Sequence, residues 1–345
     1  LRVKLGIDPT SPDLHLGRSV PLLKLRDFQN LGHQAVLIVG DFTALVGDTS
    51  DKDSERPMLA SEEIEKNKKT YFDQVGKVLD LSKTELRYNS EWLEPLTYRE
   101  IGKHADMFSV SDFIARDVIK RRLDAGKRVS LREMIYPLMQ GYDSVAIKAD
   151  IELGSMDQKF NLLAGRTMQE KMRQRPQDIL MTPLINGFDG RKMSSSWGNT
   201  IALTAPPSDM YGKIMSMGDE QVAIYFEVCT RVPMNEVAEI LELHPKDAKA
   251  RLAREIVALY HGKDAAEKAE TGFMKPDSAV EIKLAGKTKW RDIASNLDMS
   301  VSELRRLIDA GAIEKTGGAK VKSIDDEVEK TAYKVGKHRF YKFTA

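Results

Sequence analysis

Apolar and polar positions alternate through residues 1–7, and the residue types are strand formers, so the chain opens on a β-strand. Residues 8–19, DPTSPDLHLGRS, keep neither the strand period nor the helix period; Pro9, Pro12, Asp8 and Asp13 make them a loop. Residues 20–31 then place their apolar positions at helical spacing, with basic residues on the outer face. AVLIV at 35–39, bounded by Gly32 and Gly40, is an uninterrupted apolar run, the pattern of a strand buried on both faces of a parallel sheet. Strand, loop, helix and strand in this order predict a right-handed β-α-β unit.

The alternation continues with a helix over 62–81 and strands over 85–89, 149–153 and 179–185. Together these predict an α/β fold with a doubly wound, Rossmann-type parallel sheet in a first domain over 1–204. Residues 97–132 are charged and helical and read as an insertion. From Pro206 the pattern is purely helical, through 209–217, 221–229, 234–243 and 248–261, which predicts a helical domain over 205–276. Residues 277–289 read as linker, and a small α+β domain occupies the remainder to 345. There SVSELRRLIDAGAIEKTGG is a helix capped by Ser300 or Ser302 and stopped at Gly311, followed by a turn at Gly317 and Gly318 and by β-like pieces AKVKSI and RFYKF.

At 345 residues the chain exceeds the roughly 250 to 300 residues that one core reaches, in keeping with a modular protein. Its 53 basic and 52 acidic side chains leave a formal net charge of +1, so a polyanion must be held by local patches and not by a global field. Cys229 is the only cysteine, which excludes internal disulfides and zinc sites built on several thiolates and makes the cytoplasm the expected compartment. No apolar run approaches the roughly 20 residues needed to span a bilayer, no membrane partner is expected, and nothing reads as a secretory signal peptide. The first residue is Leu1 and not methionine, which leaves residues ahead of it, a targeting segment included, open.

Two loops carry candidate chemistry. His15 lies between the first strand and the first helix, at the carboxyl edge where parallel sheets bind ligands, and the helix starting near Gly17 offers amide donors suited to phosphate. Taken alone, a loop histidine is more often solvated or a cap. GRKMSSSWGN, residues 190–199, follows the last sheet strand with Lys192 and three serines, a loop able to close on a triphosphate; in isolation a solvated surface loop is the commoner reading. Tyr136, Gln140 and Asp143 fall at i, i+4 and i+7, one face of a helix, where a carboxylate can accept a hydrogen bond from a phenol. On spacing alone, an amphipathic helix with a solvated Asp143 stays open.

DPT and HLG after the first strand, with KMSSS after the last, resemble the paired HIGH and KMSKS signatures of class I aminoacyl-tRNA synthetases. Between and beyond them VGDFTALVGD, YNSEWLEPL, YPLMQGYD, SMDQKFNLLAGR and TPLINGFDGRKMSSS fall in the order found in the bacterial tyrosyl-tRNA synthetase family, so that the resemblance covers essentially the whole chain. It implies a tyrosine–tRNA ligase that joins L-tyrosine to AMP from ATP, with Mg2+ carried on the ATP, and transfers it to tRNA(Tyr). His15 and Thr10 would contact the ATP phosphates, Lys192 would serve the leaving pyrophosphate, and Gly17 would leave room for the adenosine. Arg18, Ser194 and Ser195 fall in the ATP-binding motifs, and Gly154 and Asp157 on the loop that faces the ribose. Around the tyrosine the resemblance puts Tyr136, Gln140 and Asp48 at the ammonium, Asp143 at the hydroxyl, Thr43 and Asn89 nearby, and Asp8 and Gln158 around the tyrosine or its adenylate. No resident metal is implied.

The chain departs from the family pattern at several positions. Arg18 stands for the second motif histidine and Ser195 for the second motif lysine; SMDQ and GDTSD replace the usual GTDQ-like and GDPSG forms; Lys4 stands where some relatives carry a tyrosine that shares the phenolic hydroxyl. The tail resembles the ribosomal-protein S-four type of RNA-binding domain, with Arg305, Arg306, Lys315, Lys320 and Lys322 as phosphate contacts, although Asp325, Asp326 and Glu327 interrupt that charge run. A homodimer with its interface in 97–132 is also implied. Three alternatives stay open here. A nucleotidyltransferase for another acid is opposed by the helical domain and tail, a non-catalytic RNA-binding protein by His15, Lys192 and Asp143, and a tryptophan-specific relative by QGYD and the tail.

Overall fold

A computed structural model of the chain describes residues 1–48, 60–274, 280–284, 286–297, 299–315, 318–336 and 339–344. Five strands, β1 (Arg2–Ile7), β2 (Gln34–Val39), β3 (Thr84–Tyr88), β4 (Ile151–Ser155) and β5 (Asp178–Thr182), form one parallel sheet in the order β3-β2-β1-β4-β5. β1 pairs with β2 from Arg2 opposite Gln34 to Ile7 opposite Val39, and with β4 from Val3 opposite Ile151. The central strands are apolar on both faces because helices cover both: Val3, Leu5, Val36, Leu37 and Ile38 are all buried.

Strand β5 ends three residues before the expected limit, because Pro183 follows Thr182 and offers no backbone N–H to a ladder. The first helix, Leu16–Asn30, starts four residues earlier than its periodicity indicates. Its start is held from outside: Leu16 donates its N–H to the Ile201 carbonyl, His15 takes the extended backbone of a cap position, and segment 201–203 pairs with 14–16. The helix expected over 62–81 is Ser61–Val75; the chain then turns through Gly76, and Asp80 caps a short 3-10 turn into β3. The insertion folds as helices Tyr98–Ala105, Val110–Ile114 and Asp117–Asp124. It leads into Leu131–Ile147, whose start carries a reciprocal cap between Ser130 and Glu133.

The chain forms two compact units, Leu1–Ala205 with Ser216–Ala248, and Pro206–Met215 with Lys249–Ala345. The second contains a mixed sheet of β6 (Val280–Lys283), β7 (Ile313–Lys315), β8 (Ala332–Val335) and β9 (Arg339–Thr344) in the order β6-β9-β8-β7. Trp290 is fully buried at its core and meets Tyr333 and Phe343 edge-on at centroid distances of 4.9 and 5.7 Å. Ser300 caps the helix Val301–Asp309 and Gly311 follows with φ +62°. The β piece expected at AKVKSI is reduced to a bridge between Lys320 and Glu314, because Asp326 accepts hydrogen bonds from the Lys322 and Ser323 amides and turns the segment away from β7. Gly318 has φ +96°, while the Gly317 half of the expected turn and residues 49–51 of GDTSD lie outside the described residues.

Candidate active site

The strand order reverses at β1, whose neighbours β2 and β4 come from opposite directions of the winding, and a ligand crevice opens at the carboxyl ends of such strands. A cavity of about 600 Å³ lies there. Its lining includes Asp8, Thr10, His15, Gly17 and Arg18 from the first loop and helix, Thr43 and Asp48 after β2, and Asn89 after β3. Tyr136, Gln140 and Asp143 enter from the helix Leu131–Ile147, Gly154, Asp157 and Gln158 from the end of β4, and Lys192, Ser194 and Ser195 from the loop beyond β5. Every residue that the sequence reading assigns to ATP or tyrosine thus lines one cavity, large enough for an organic ligand of adenylate size, while the basic residues of the tail do not.

At one end a buried polar chain surrounds two carboxylates. Tyr136 donates its hydroxyl hydrogen to Asp8 Oδ2 at 2.8 Å and Thr43 donates to Asp8 Oδ1 at 2.8 Å. Burial pushes the Asp8 carboxyl up to about 6, against the opposing pull of those hydrogen bonds. Gly40 is required beside this pair, because a Cβ there would stand 2.0 Å from Asp8 Oδ1 and 2.3 Å from Thr43 Oγ1. Deeper in, Asp143 is 3 % exposed and burial pushes its carboxyl up to about 7, with the Lys4 charge the largest opposing influence. Trp92 donates its indole N–H to Asp143 Oδ1 at 2.8 Å, and Asn89 donates to Thr43 Oγ1 at 2.9 Å and to Asp143 Oδ2 at 3.4 Å. Gln158 donates to Asp48 Oδ2 at 2.7 Å, which ties the β4 end of the wall to the β2 end.

The other end is built from backbone and cations. Burial, with help from Arg18, pushes the His15 imidazole down to about 3, so that it is neutral at physiological pH in the ligand-free protein. Its buried Nδ1 has no hydrogen-bond partner among the described residues. Arg18 donates to the Asp8 carbonyl at 2.8 Å, to Thr10 Oγ1 at 2.9 Å and to the Tyr71 hydroxyl at 3.3 Å, so its guanidinium braces the loop that carries Thr10. Gly17 is in close quarters: a Cβ would meet His15 Nδ1 at 3.1 Å and Met193 Sδ at 3.3 Å, and its N–H already points at that sulfur. Lys192 Nζ stands 3.6 Å from Asp157 Oδ2.

Trp92, Asn199 and the partner of Lys4 escape the sequence reading. Trp92 sits inside the quoted YNSEWLEPL, three residues after Asn89, and that spacing on a helical turn is the signal that could have found it. Asn199, 1 % exposed, organises the lysine loop: its Nδ2 donates to the Lys192 carbonyl at 3.0 Å and to Asp189 Oδ1 at 2.8 Å, and its Oδ1 accepts from the Ser194 N–H at 2.8 Å. Lys4 and Glu152, both buried, form an ion pair of 3.0 Å under the cavity.

The family profile of tRNA synthetases class I (W and Y) matches residues 1–275. The tyrosine–tRNA ligase of Moorella thermoacetica is 46% identical over 346 residues, an overlap of 95% of this chain and 84% of that protein. The tyrosine–tRNA ligase of Thermotoga maritima is 42% identical over 363 residues, 100% of this chain and 90% of that protein. Among solved structures, a C-terminally truncated mitochondrial tyrosyl-tRNA synthetase of Coccidioides posadasii superposes with a TM-score of 0.64 at 24% identity, covering 79% of this chain and 83% of its own. The tyrosyl-tRNA synthetase of Archaeoglobus fulgidus complexed with L-tyrosine gives a TM-score of 0.62 at 24% identity, covering 78% and 90%; at these identities the two structures bear on the fold alone.

Proposed function

The chain belongs to the class I tRNA synthetases of the tryptophan and tyrosine group, and within it to the tyrosine–tRNA ligases, and on that premise we propose how its cavity performs the reaction. The enzyme charges tRNA with tyrosine at the expense of ATP. In the first half-reaction a carboxylate oxygen of tyrosine attacks the α-phosphorus of ATP, the bond to the β-phosphate oxygen breaks, and pyrophosphate leaves with the electron pair. In the second, a hydroxyl at the 3′ end of tRNA(Tyr) attacks the acyl carbon and AMP leaves. Neither step forms a covalent bond to the protein, so catalysis consists of positioning and charge stabilisation.

The observation that carries this assignment is the polarity of the cavity. Its floor, lined by Asp143, Gln140 and Asn89, is suited to a phenol and an ammonium, and its mouth, lined by His15, Thr10 and Lys192, is suited to phosphates. Asp143 accepts the phenol hydrogen, and Tyr136, Gln140 and Asp48 surround the ammonium with Asp8, Thr43 and Gln158 around them. Neutral His15 donates a hydrogen bond to the α-phosphate region as charge builds there, with Thr10 beside it. Lys192 leaves Asp157 for the departing pyrophosphate, with Ser194 and Ser195 on the same loop. Gly154 and Asp157 face the ribose, and Arg18 holds the Asp8–Thr10 loop in place.

Mg2+ enters as the counter-ion of ATP. In this reading the phosphates themselves supply its ligands, as Mg2+ is commonly held at nucleotide sites. The tail and residues 205–276 bind tRNA(Tyr), and a homodimer forms through the insertion at 97–132. That assembly is supported by Tyr98, Val110 and Leu131, large apolar side chains exposed by 92, 74 and 85 %. The enzyme acts in the cytoplasm in this reading, and among the described residues no helix is long and apolar enough to cross a membrane. Exchange of labelled pyrophosphate into ATP with each of the twenty amino acids tests the activity: exchange that depends on tyrosine is expected, and exchange driven by tryptophan or by none contradicts the assignment.

A further inference from the structure

Lys4 and Gly6 of β1 and Asp8, the residue after its end, follow one another at two-residue intervals on one face, spanning roughly 13 Å. The helix Leu131–Ile147 lies across that face and is tied to it at both ends. Tyr136 reaches Asp8 at one end, and Lys4 Nζ donates to the Gln140 carbonyl at 3.0 Å and to Ser144 Oγ at 2.8 Å at the other. Between the two ties lies Gly6, which lines the cavity and whose Cβ would meet nothing within 4 Å. The result is a slot between strand and helix, open over Gly6, with Asp143 at the Lys4 end.

Lys4 is fully buried and is paired at 3.0 Å with Glu152 of β4, which is 1 % exposed. Glu152 is in turn held by Ser144 at 3.0 Å and by the amides of Gln140 and Gln177. A buried ion pair is a poor way to stabilise a fold, because desolvation of both charges offsets their attraction. Its position accounts for it better. We propose that the Lys4–Glu152 pair is the positioning element of the phenol end of the slot: it holds the Gln140–Ser144 turn against β1 and sets the charge environment in which Asp143 serves as hydrogen-bond acceptor. The inference rests on the reading of Asp143 as the residue that meets the tyrosine hydroxyl.

Groups from every element packed on Asp143 enter the balance. From β1 Lys4 favours the carboxylate; from β4 Glu152 opposes it; Trp92 and Asn89 donate hydrogen bonds to it from the segment after β3; and Tyr136, bonded to Asp8, stands on its own helix. The two charges of the pair therefore act on Asp143 with opposite sign, so removing either one shifts its titration in a stated direction.

Equilibrium binding of labelled tyrosine to the full chain between pH 5.5 and 8.5 tests this. The parent should gain affinity as pH rises through about 6, from Asp8, and again through about 7, from Asp143, and Asp143→Asn should lose the limb near 7 and keep the one near 6. Lys4→Met should move the Asp143 limb up by about one pH unit or more, and Glu152→Gln should move it down by a similar amount. Should Lys4→Met fail to fold, with Glu152 left buried and unpaired, Glu152→Gln decides alone, since glutamine keeps the shape. A limb that moves up or stays in place in Glu152→Gln overturns the inference. A limb near pH 7 that persists in Asp143→Asn, above the part that Asp8 contributes near 6, instead overturns the reading of Asp143 on which the inference rests, so the two failures are distinguishable.

Discussion

The Tyr136 hydroxyl donates to Asp8 Oδ2 at 2.8 Å, and this bond joins the helix Leu131–Ile147 to the residue that follows the central strand. Removing the donor in Tyr136→Phe leaves a buried carboxylate oxygen short of a partner, at a cost of about 1.5 to 3 kcal/mol for a hydrogen bond to a charged group. If that cost falls on the bound state, tyrosine affinity should drop by roughly tenfold or more. Because the lost bond favours ionised Asp8, its carboxyl should also titrate higher than about 6. Unaltered affinity by equilibrium dialysis would separate this pair from tyrosine binding.

The two raised carboxyls give tyrosine binding a pH signature. Asp8 at about 6 and Asp143 at about 7 both hold protons in the ligand-free protein at pH 6, in part and in large part respectively. An ammonium near Asp8 and a phenol donor on Asp143 both favour the ionised form, so each pKa falls on binding and protons are released. Titration calorimetry in two buffers of different ionisation enthalpy should show proton release at pH 6 and almost none at pH 8.5. Proton uptake at pH 6 would contradict the assignment.

For Lys192→Ala, rate and affinity should come apart. If the ammonium acts mainly as charge moves onto pyrophosphate, adenylate formation should slow far more than tyrosine binding weakens. A single-turnover rate within about twofold of the parent, a difference of roughly 0.5 kcal/mol in barrier, would remove Lys192 from the mechanism.

Deletion of residues 280–345 should spare adenylate formation, because every residue lining the cavity precedes that segment. Transfer to tRNA should fall. Equal loss of both half-reactions in a folded truncated protein would assign the tail a structural task.

The sheet and the site differ in how openly the sequence displays them. Buried parallel strands such as 35–39 announce themselves as apolar runs, and apart from Tyr136, Gln140 and Asp143 on their helix the motif residues follow the carboxyl ends of strands, so order along the chain maps onto order around the cavity. Strand and helix ends shifted where a tertiary bond intervened, as the Ile201 carbonyl does at Leu16. The Lys4–Glu152 pair was invisible for a different reason: the partners are 148 positions apart and meet only because β4 lies beside β1, a neighbour relation that periodicity does not encode. Asn199 reads as one more polar loop residue until the turn it closes is seen.

Selection of tyrosine by Asp143 is the central claim. A pocket built to hydrogen-bond a substrate hydroxyl rejects the analogue that lacks it, because its buried polar groups are left unpaired, a rule of which this enzyme family is itself a standard illustration. The most direct measurement is the ratio of kcat/KM for tyrosine to that for phenylalanine in adenylate formation, in the parent and in Asp143→Asn. An amide accepts the phenol's hydrogen bond less strongly than a carboxylate, and the ratio should fall by about tenfold, equivalent to ~1.4 kcal/mol. A ratio equal to the parent's would mean that Asp143 does not read the hydroxyl.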